Sequence, residues 1–307
     1  MESNPAKDLN EELRQALEGL EDNSLDSMQA EAERVMHQRN TEPLDDFHGL
    51  TPDQMQQVLY APFDSPALVR FSEVVSGAVE APFARLFLLL AEAIGEKGVK
   101  PTAKGNLPRA LTREVALQFL GEEGYAAATR YGGINKEEDF NDLHVVRLVA
   151  ELAGLLRKHK GRFILSRDCR SMLSGPGIEA IYPRLFRTYV ERFNWAYDDG
   201  YEELPFIQHS FLFSLYLLWR YGDEPRPISF YEEAYLRAFP VLLEEVEDRP
   251  YASAEETLAR CYSLRTFERF AQRFGLALVE RRDKTDILSR DITVRNSGLL
   301  GQLVSFS

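Results

Sequence analysis

VVRLVAELAGLLRKHKGRFILSRDCRSML, residues 145–173, is the stretch on which the fold reading turns. Val146, Leu148, Val149, Leu152, Leu155 and Leu156 recur at helical spacing, which predicts an amphipathic helix over residues 143–158. Gly161 then interrupts a basic turn. Phe163-Ile164-Leu165 has the composition of a short strand, and the small-polar/basic pair Ser166-Arg167 precedes a new helix. Residues 91–111, AEAIGEKGVKPTAKGNLPRAL, repeat that order: helix end, glycine in a basic turn, extended piece, small polar residue, helix. A looser third copy, FERFAQRFGLALVERRDKTDILSRDITVRN at 267–296, ends a helix at Gly275 and continues into two strands joined by a charged turn. A helix followed by a hairpin is the pattern of a winged-helix unit. The expected fold is mainly α with small β elements: tandem winged-helix-like helical units, the third with a C-terminal β-hairpin.

Four regions are expected on that basis. Residues 1–45 form an acidic N-terminal arm, with Leu9, Leu13, Leu17 and Leu20 at helical spacing. Residues 46–130 form the first unit. Thr51-Pro52-Asp53-Gln54 is a capping box with proline at the first helical position, Ser65-Pro66 opens a helix through Val75, and Pro82 opens one that ends at Gly95. Residues 131–250 form the second unit together with an aromatic helical core that contains Phe186, Tyr189, Phe193, Trp195, Phe206, Phe211, Phe213, Tyr216, Trp219 and Phe230. Ser229 and Glu232 are spaced as a capping box there, and Pro240 is expected to kink the helix. Residues 251–307 supply a helix opening at Ser253-Ala254-Glu255-Glu256 and the C-terminal hairpin.

Composition narrows the class. A hydrophobic content of 44% with 11% aromatic residues is that of a folded chain. Net charge is -13, but residues 1–60 hold 14 acidic and 4 basic side chains, whereas residues 61–307 hold 35 and 32. The acidity is therefore concentrated at the N-terminal end, which argues against a broad nucleic-acid-binding surface and leaves room for one basic patch. Cys169 and Cys261 are too few for a disulfide framework or a structural zinc site, and a reducing, cytoplasmic setting is expected. The first residues carry no secretory pattern, and Phe206–Trp219 is too short and too polar for a membrane span.

Residues 99–173 resemble a module of uncharacterised bacterial proteins named after the third open reading frame of a root-inducing plasmid. The resemblance rests on Pro101-Thr102-Ala103-Lys104-Gly105-Asn106-Leu107-Pro108, on Lys136-Glu137-Glu138-Asp139, and on Arg157-Lys158-His159-Lys160-Gly161-Arg162-Phe163-Ile164-Leu165-Ser166. It implies an architecture and brings no activity and no catalytic residues.

The basic run is the leading candidate site. Arg157, Lys158, Lys160, Arg162, Arg167 and Arg170 are opposed only by Asp168, and Lys104, Arg109 and Arg113 hold comparable places in the first copy. At a helix end and wing, such residues would lie close to phosphates. The plainer reading is a solvated turn whose cations complement the helix dipole. The histidines, His37, His48, His144, His159 and His209, lack metal-ligand spacing, and His209 reads as a hydrogen-bonded core residue. Asp198, Asp199, Glu202 and Glu203 read as an exposed helix start rather than a cation loop. Neither Gly132-Gly133 nor Gly175-Pro176-Gly177 is a phosphate-binding fingerprint. The expectation is a non-enzymatic binding or regulatory protein with no cofactor and no metal. It associates with DNA through its basic turns, with the acidic arm as modulator, or serves as a protein-interaction scaffold. A metal-dependent enzyme built on the 198–203 loop and His209 is the distant third class.

Overall fold

In the computed structural model, which describes residues 5–20, 24–197, 199–282 and 290–307, the chain divides between Ser65 and Pro66. The shorter unit contains α1 (Pro5–Glu18), α2 (Leu25–Thr41) and α3 (Pro52–Tyr60). Ser24 caps α2, and Arg39 of α2 reaches Glu12 of α1 at 3.2 Å. Helix α2 buries no residue, as its even spread of polar side chains demands. Thr51 and Gln54 form the expected capping box, and α3 buries Met55 and Val58.

The longer unit begins with a correction. The helix expected from Ser65 to Val75 does not form. Val69–Phe71 is instead a strand, β1, paired antiparallel with the end of the chain, Val69 opposite Phe306 and Phe71 opposite Val304. Burying Val69 and Val304 in that pairing overrides the local helix signal.

Helix α4 (Pro82–Ile94) follows and buries Phe83, Leu86, Phe87, Leu90 and Ile94. Next come an extended Val99, α5 (Arg109–Ala128, kinked at Gly121), a single 3-10 turn at Glu137–Phe140, and α6 (Asn141–Leu152). The helix predicted to reach Lys158 stops six residues early. Gly154 adopts φ +70, and Leu155 and Leu156 turn into the core. The basic run therefore lies in a hairpin, β2 (Leu156–His159) and β3 (Arg162–Leu165), and not on a helix end. Lys160 and Gly161, at φ 47 and 72, make the two-residue turn with positive φ at both positions, whose twist matches that of the flanking strands.

Residues 91–111 and 153–173, read as successive copies, meet in this one assembly. The Val99 N–H donates to Phe163 O at 2.9 Å, and the Phe163 N–H donates to Val99 O at 2.8 Å. Gly98 makes the approach feasible: a Cβ there would lie 2.5 Å from Phe163 O. The order is helix, strand residue, helix, helix, hairpin, with Val99 beside β3 and β3 beside β2.

Helices α7 (Arg167–Ser174), α8 (Ile178–Arg192) and the short α9 (Pro205–His209) connect this assembly to a second one with the same order. In it, α10 (Phe211–Tyr221) is followed by β4 (Arg226–Pro227), α11 (Ile228–Ala238) and α12 (Ala254–Ser263), which runs on as a π-helix over Leu264–Ala271. The hairpin β5 (Ala277–Arg281) and β6 (Ile292–Asn296) closes it, with strand order β4-β6-β5. The turn between β5 and β6 lies outside the described residues. Thus the repeat spans about 85 residues rather than a short stretch: 82–165 and 211–296 share one element order. The boundaries expected at 130 and 250 fall inside the longer unit. A last helix, α13 (Gly298–Leu303), leads to β7 (Val304–Phe306), the partner of β1.

Aromatic packing joins the two assemblies through α8. Phe186 lies 5.8 Å from Phe270 and 5.7 Å from Phe274, and the Tyr182 hydroxyl donates to Phe274 O. The expected aromatic core is present, except that Trp219 stays 37% exposed at the end of α10. No described helix is long and apolar enough to cross a membrane.

Candidate functional site

Every cation of the hairpin stretch, Arg157, Lys158, Lys160, Arg162, Arg167 and Arg170, is exposed. Antiparallel pairing sorts them. Lys158 sits opposite Phe163 on the face shared with Leu156 and Leu165, its ammonium 4.9 Å from the Phe163 ring centre. Arg157, His159, Arg162 and Ile164 share the other face. Arg162 donates to Gly98 O at 2.8 Å, and Arg170 donates to Leu165 O at 2.7 Å. Asp168, the acid within the run, is taken up by Arg184. None of the six cations forms an ion pair among the described residues.

The cations from the other stretch divide. Lys104 and Arg109 are exposed. Lys104 belongs to a turn that lies against the hairpin, since a Cβ on neighbouring Gly105 would be 3.3 Å from Lys158 Nζ. Arg113 is different. Its Nε donates to Ile134 O at 2.7 Å and a second nitrogen reaches Asn135 Oδ1 at 3.4 Å, so it clamps the chain ahead of the Glu137 turn.

Under the hairpin lies a buried cluster that the motif reading missed. Glu137 is fully buried. One carboxylate oxygen accepts from Arg147 Nε and lies 2.9 Å from His144 Nδ1; the other accepts from the Leu107 N–H. Arg147 also reaches Glu151 at 2.6 Å, and His144 Nε2 lies 2.8 Å from the Tyr197 hydroxyl. Asn106 donates to Glu138 at 2.8 Å. Burial alone would push the Glu137 carboxyl up, but His144, Arg147 and the Leu107 N–H outweigh it and hold it below its ordinary range. The motif segments are thereby linked: Glu137 and Glu138 hold the 101–108 turn to the start of α6, and Arg147 lies 5.4 Å from the Phe163 ring of the hairpin. The signal in the sequence was Arg147, a cation in the middle of an apolar stripe.

The second assembly has a counterpart. Arg265, in the π-helix, is buried. It donates to both oxygens of Asp199, at 2.6 and 3.1 Å, and to the carbonyls of Glu202 and Glu203, each at 2.6 Å. The loop expected as an exposed acidic cluster thus wraps a guanidinium, with the Asp199 side chain fully buried. Asp198 lies outside the described residues.

Consequently α6 and the α12–π helix, each the third helix of its assembly, lie in the core. Leu143, Val145, Val146, Arg147 and Val149 are buried on α6, and Leu258, Tyr262, Arg265, Phe267 and Phe270 are buried on the other. His209, expected in the core, is exposed and lies 5.9 Å from the Phe206 ring, while Gln208 beside it bonds the Trp195 N–H and Val190 O. Burial pushes the Cys169 thiol up to about 11 and that of Cys261 to about 12, which keeps both as unreactive thiols at neutral pH. Among the described residues no group of three His, Cys, Asp or Glu side chains is arranged to hold a metal.

Residues 80–178 match the family model of the Y4jL N-terminal domain. That span runs from just before α4 to the first residue of α8, so it contains the whole first assembly, the hairpin and α7. It is about a third of the chain, and the similarity applies to that part. Neither a curated protein nor a solved structure matches.

Proposed function

We propose that this chain is a non-enzymatic binding protein made of two winged-helix-like units, the first of which offers its basic hairpin to the phosphate backbone of DNA. The element order supports the winged-helix reading, since in each assembly the strand after the first helix lies beside the last strand of the hairpin. Six exposed cations on and beside one tight hairpin, free of ion pairs among the described residues, are the observation that carries the DNA reading. Burial of the third helices supports one mode of contact over another. In helix-turn-helix readers a recognition helix enters the major groove; here the corresponding helices are largely buried, which supports contact with phosphates over base readout. A bacterial, cytoplasmic setting belongs to the same reading, and the motif resemblance to the root-inducing-plasmid family supports it for residues 99–173.

The test is fluorescence anisotropy with a labelled random-sequence duplex at two salt concentrations. Binding that weakens with salt and is lost in the Lys158→Glu/Lys160→Glu/Arg162→Glu variant supports the reading. Salt-independent binding, or binding that survives the charge reversal, overturns it. The second reading is a protein-interaction scaffold, favoured by the same burial of the groove-reading helices. It gains if neither salt condition gives DNA binding. A metal-dependent enzyme has the least support: Asp199 is committed to Arg265, and His209 lies on the surface.

A further inference from the structure

Strand β5 is an open edge of the β4-β6-β5 sheet. The Arg282 N–H donates to Asp291 O, and the Ser297 N–H donates to Leu276 O. Antiparallel alternation then aims the backbone groups of Leu278 and Glu280 at β6 and those of Ala277 and Val279 away from it. Ala277 is buried, so the accessible outward position is Val279, whose backbone N–H and C=O have no bond among the described residues. A hollow of 530 Å³ runs along this edge, lined by Glu80, Pro82, Leu278 and Leu299 among others. It continues into a second hollow of 580 Å³, and the two share Gln272, Val279 and Glu280.

Shape, polarity and charge together select an occupant. Outward N–H and C=O groups on a strand edge require an extended backbone. Leu278 is 42% exposed and Val279 half-buried, so the groove offers apolar surface to alternate side chains. Of its carboxylates, Glu268 is paired with Arg281 at 2.7 Å, while Glu80 and Glu280 are exposed and have no ion pair among the described residues. We propose that the β5 edge takes up an extended segment of a partner protein as an added strand, a segment in which Lys or Arg alternates with apolar residues. A second copy of this chain fits less well. Pairing β5 with itself about Val279 would set the Glu280 carboxylate against Leu278 and bring in only an arginine already paired.

The probe is a labelled decapeptide of alternating lysine and valine, with an alternating glutamate–valine peptide as control, titrated into the full-length chain. The lysine peptide is expected to bind and to slow hydrogen exchange at the Val279 amide. Val279→Pro removes an outward N–H and no ladder bond, so the melting temperature should hold while affinity falls about tenfold or more. The double variant Glu80→Lys/Glu280→Lys alters only exposed side chains and should weaken binding to a similar degree. Four results would overturn the proposal: no binding of the lysine peptide, protection located elsewhere, affinity unmoved by either variant, or dimerisation of the chain through this edge.

Discussion

The two hairpins close assemblies of the same element order, yet they treat most of their arginines in opposite ways. On and around β5–β6, Arg281 pairs with Glu268, Arg282 with Asp291 at 3.5 Å, and Arg290 with Glu232, while Arg295 is exposed with no ion pair among the described residues. On β2–β3 and just beyond, six cations face solvent without a carboxylate partner among the described residues. A shared scaffold can therefore carry one hairpin whose arginines are mostly paired within the protein and another whose cations all face solvent. The buried arginines of the two assemblies differ as well. Each third helix buries an arginine, but Arg147 meets a carboxylate from the turn just ahead of its own helix, and Arg265 meets one from a loop 66 residues away.

The deepest contrast lies in those buried arginines. Arg265→Ala strands the Asp199 carboxylate in the core and should cost about 3–5 kcal/mol in urea denaturation. Arg147→Ala leaves Glu137 with His144 and the Leu107 N–H, so its loss should be smaller, about 1–3 kcal/mol. Equal losses would mean that the second cluster is less sealed than its geometry implies. Next in size is Gly98→Ala, which forces a side chain against Phe163 O at φ +68 and should cost about 1–3 kcal/mol in the same assay.

Two buried glutamates respond to pH with opposite sign. The Glu137 carboxyl is held low, so its stabilising contribution is complete above the unfolded value of about 4.3 and is lost as pH falls through its folded value. Glu232 is pushed up by burial, against the pull of Ser263 and Arg290. Its ionised form is a penalty at neutral pH that is relieved as pH falls through the raised folded value. Stability profiles of Glu137→Gln and Glu232→Gln should therefore diverge from wild type in opposite directions on acidification, and parallel profiles would remove the distinction. The smallest effect is at the tight turn: Lys160→Asn suits a positive φ better and should add a few tenths of a kcal/mol, read as a slightly higher melting temperature.

Much of the local structure was legible. The capping boxes at Thr51 and Ser253, the break at Gly175-Pro176-Gly177 and the strands around 277–279 and 292–294 all follow from short-range signals. The Ser229–Glu232 spacing misled, because Glu232 is used at long range, by Ser263 and Arg290, and α11 already starts at Ile228. Pro240 ends that helix rather than kinking it. What the sequence hid is non-local. Val99 pairs with a strand 64 residues on through a single residue, too short for a periodicity, and β1 pairs with the far end of the chain. The basic hairpin was visible as a run of cations, but its separation from a helix end depended on Leu155 and Leu156 choosing the core. Asp199 and Arg265 carry no mutual spacing signal at all.

The most direct test of the paired-versus-unpaired account is a salt titration of duplex DNA binding in which the two hairpins are neutralised in turn. With Lys158→Gln, Lys160→Gln and Arg162→Gln, the slope of log affinity against log salt should flatten by about 0.9 for each phosphate contact removed. With Arg281→Gln and Arg282→Gln the slope should stay at the wild-type value. Equal flattening in both series, or a slope indifferent to the first hairpin, would contradict it.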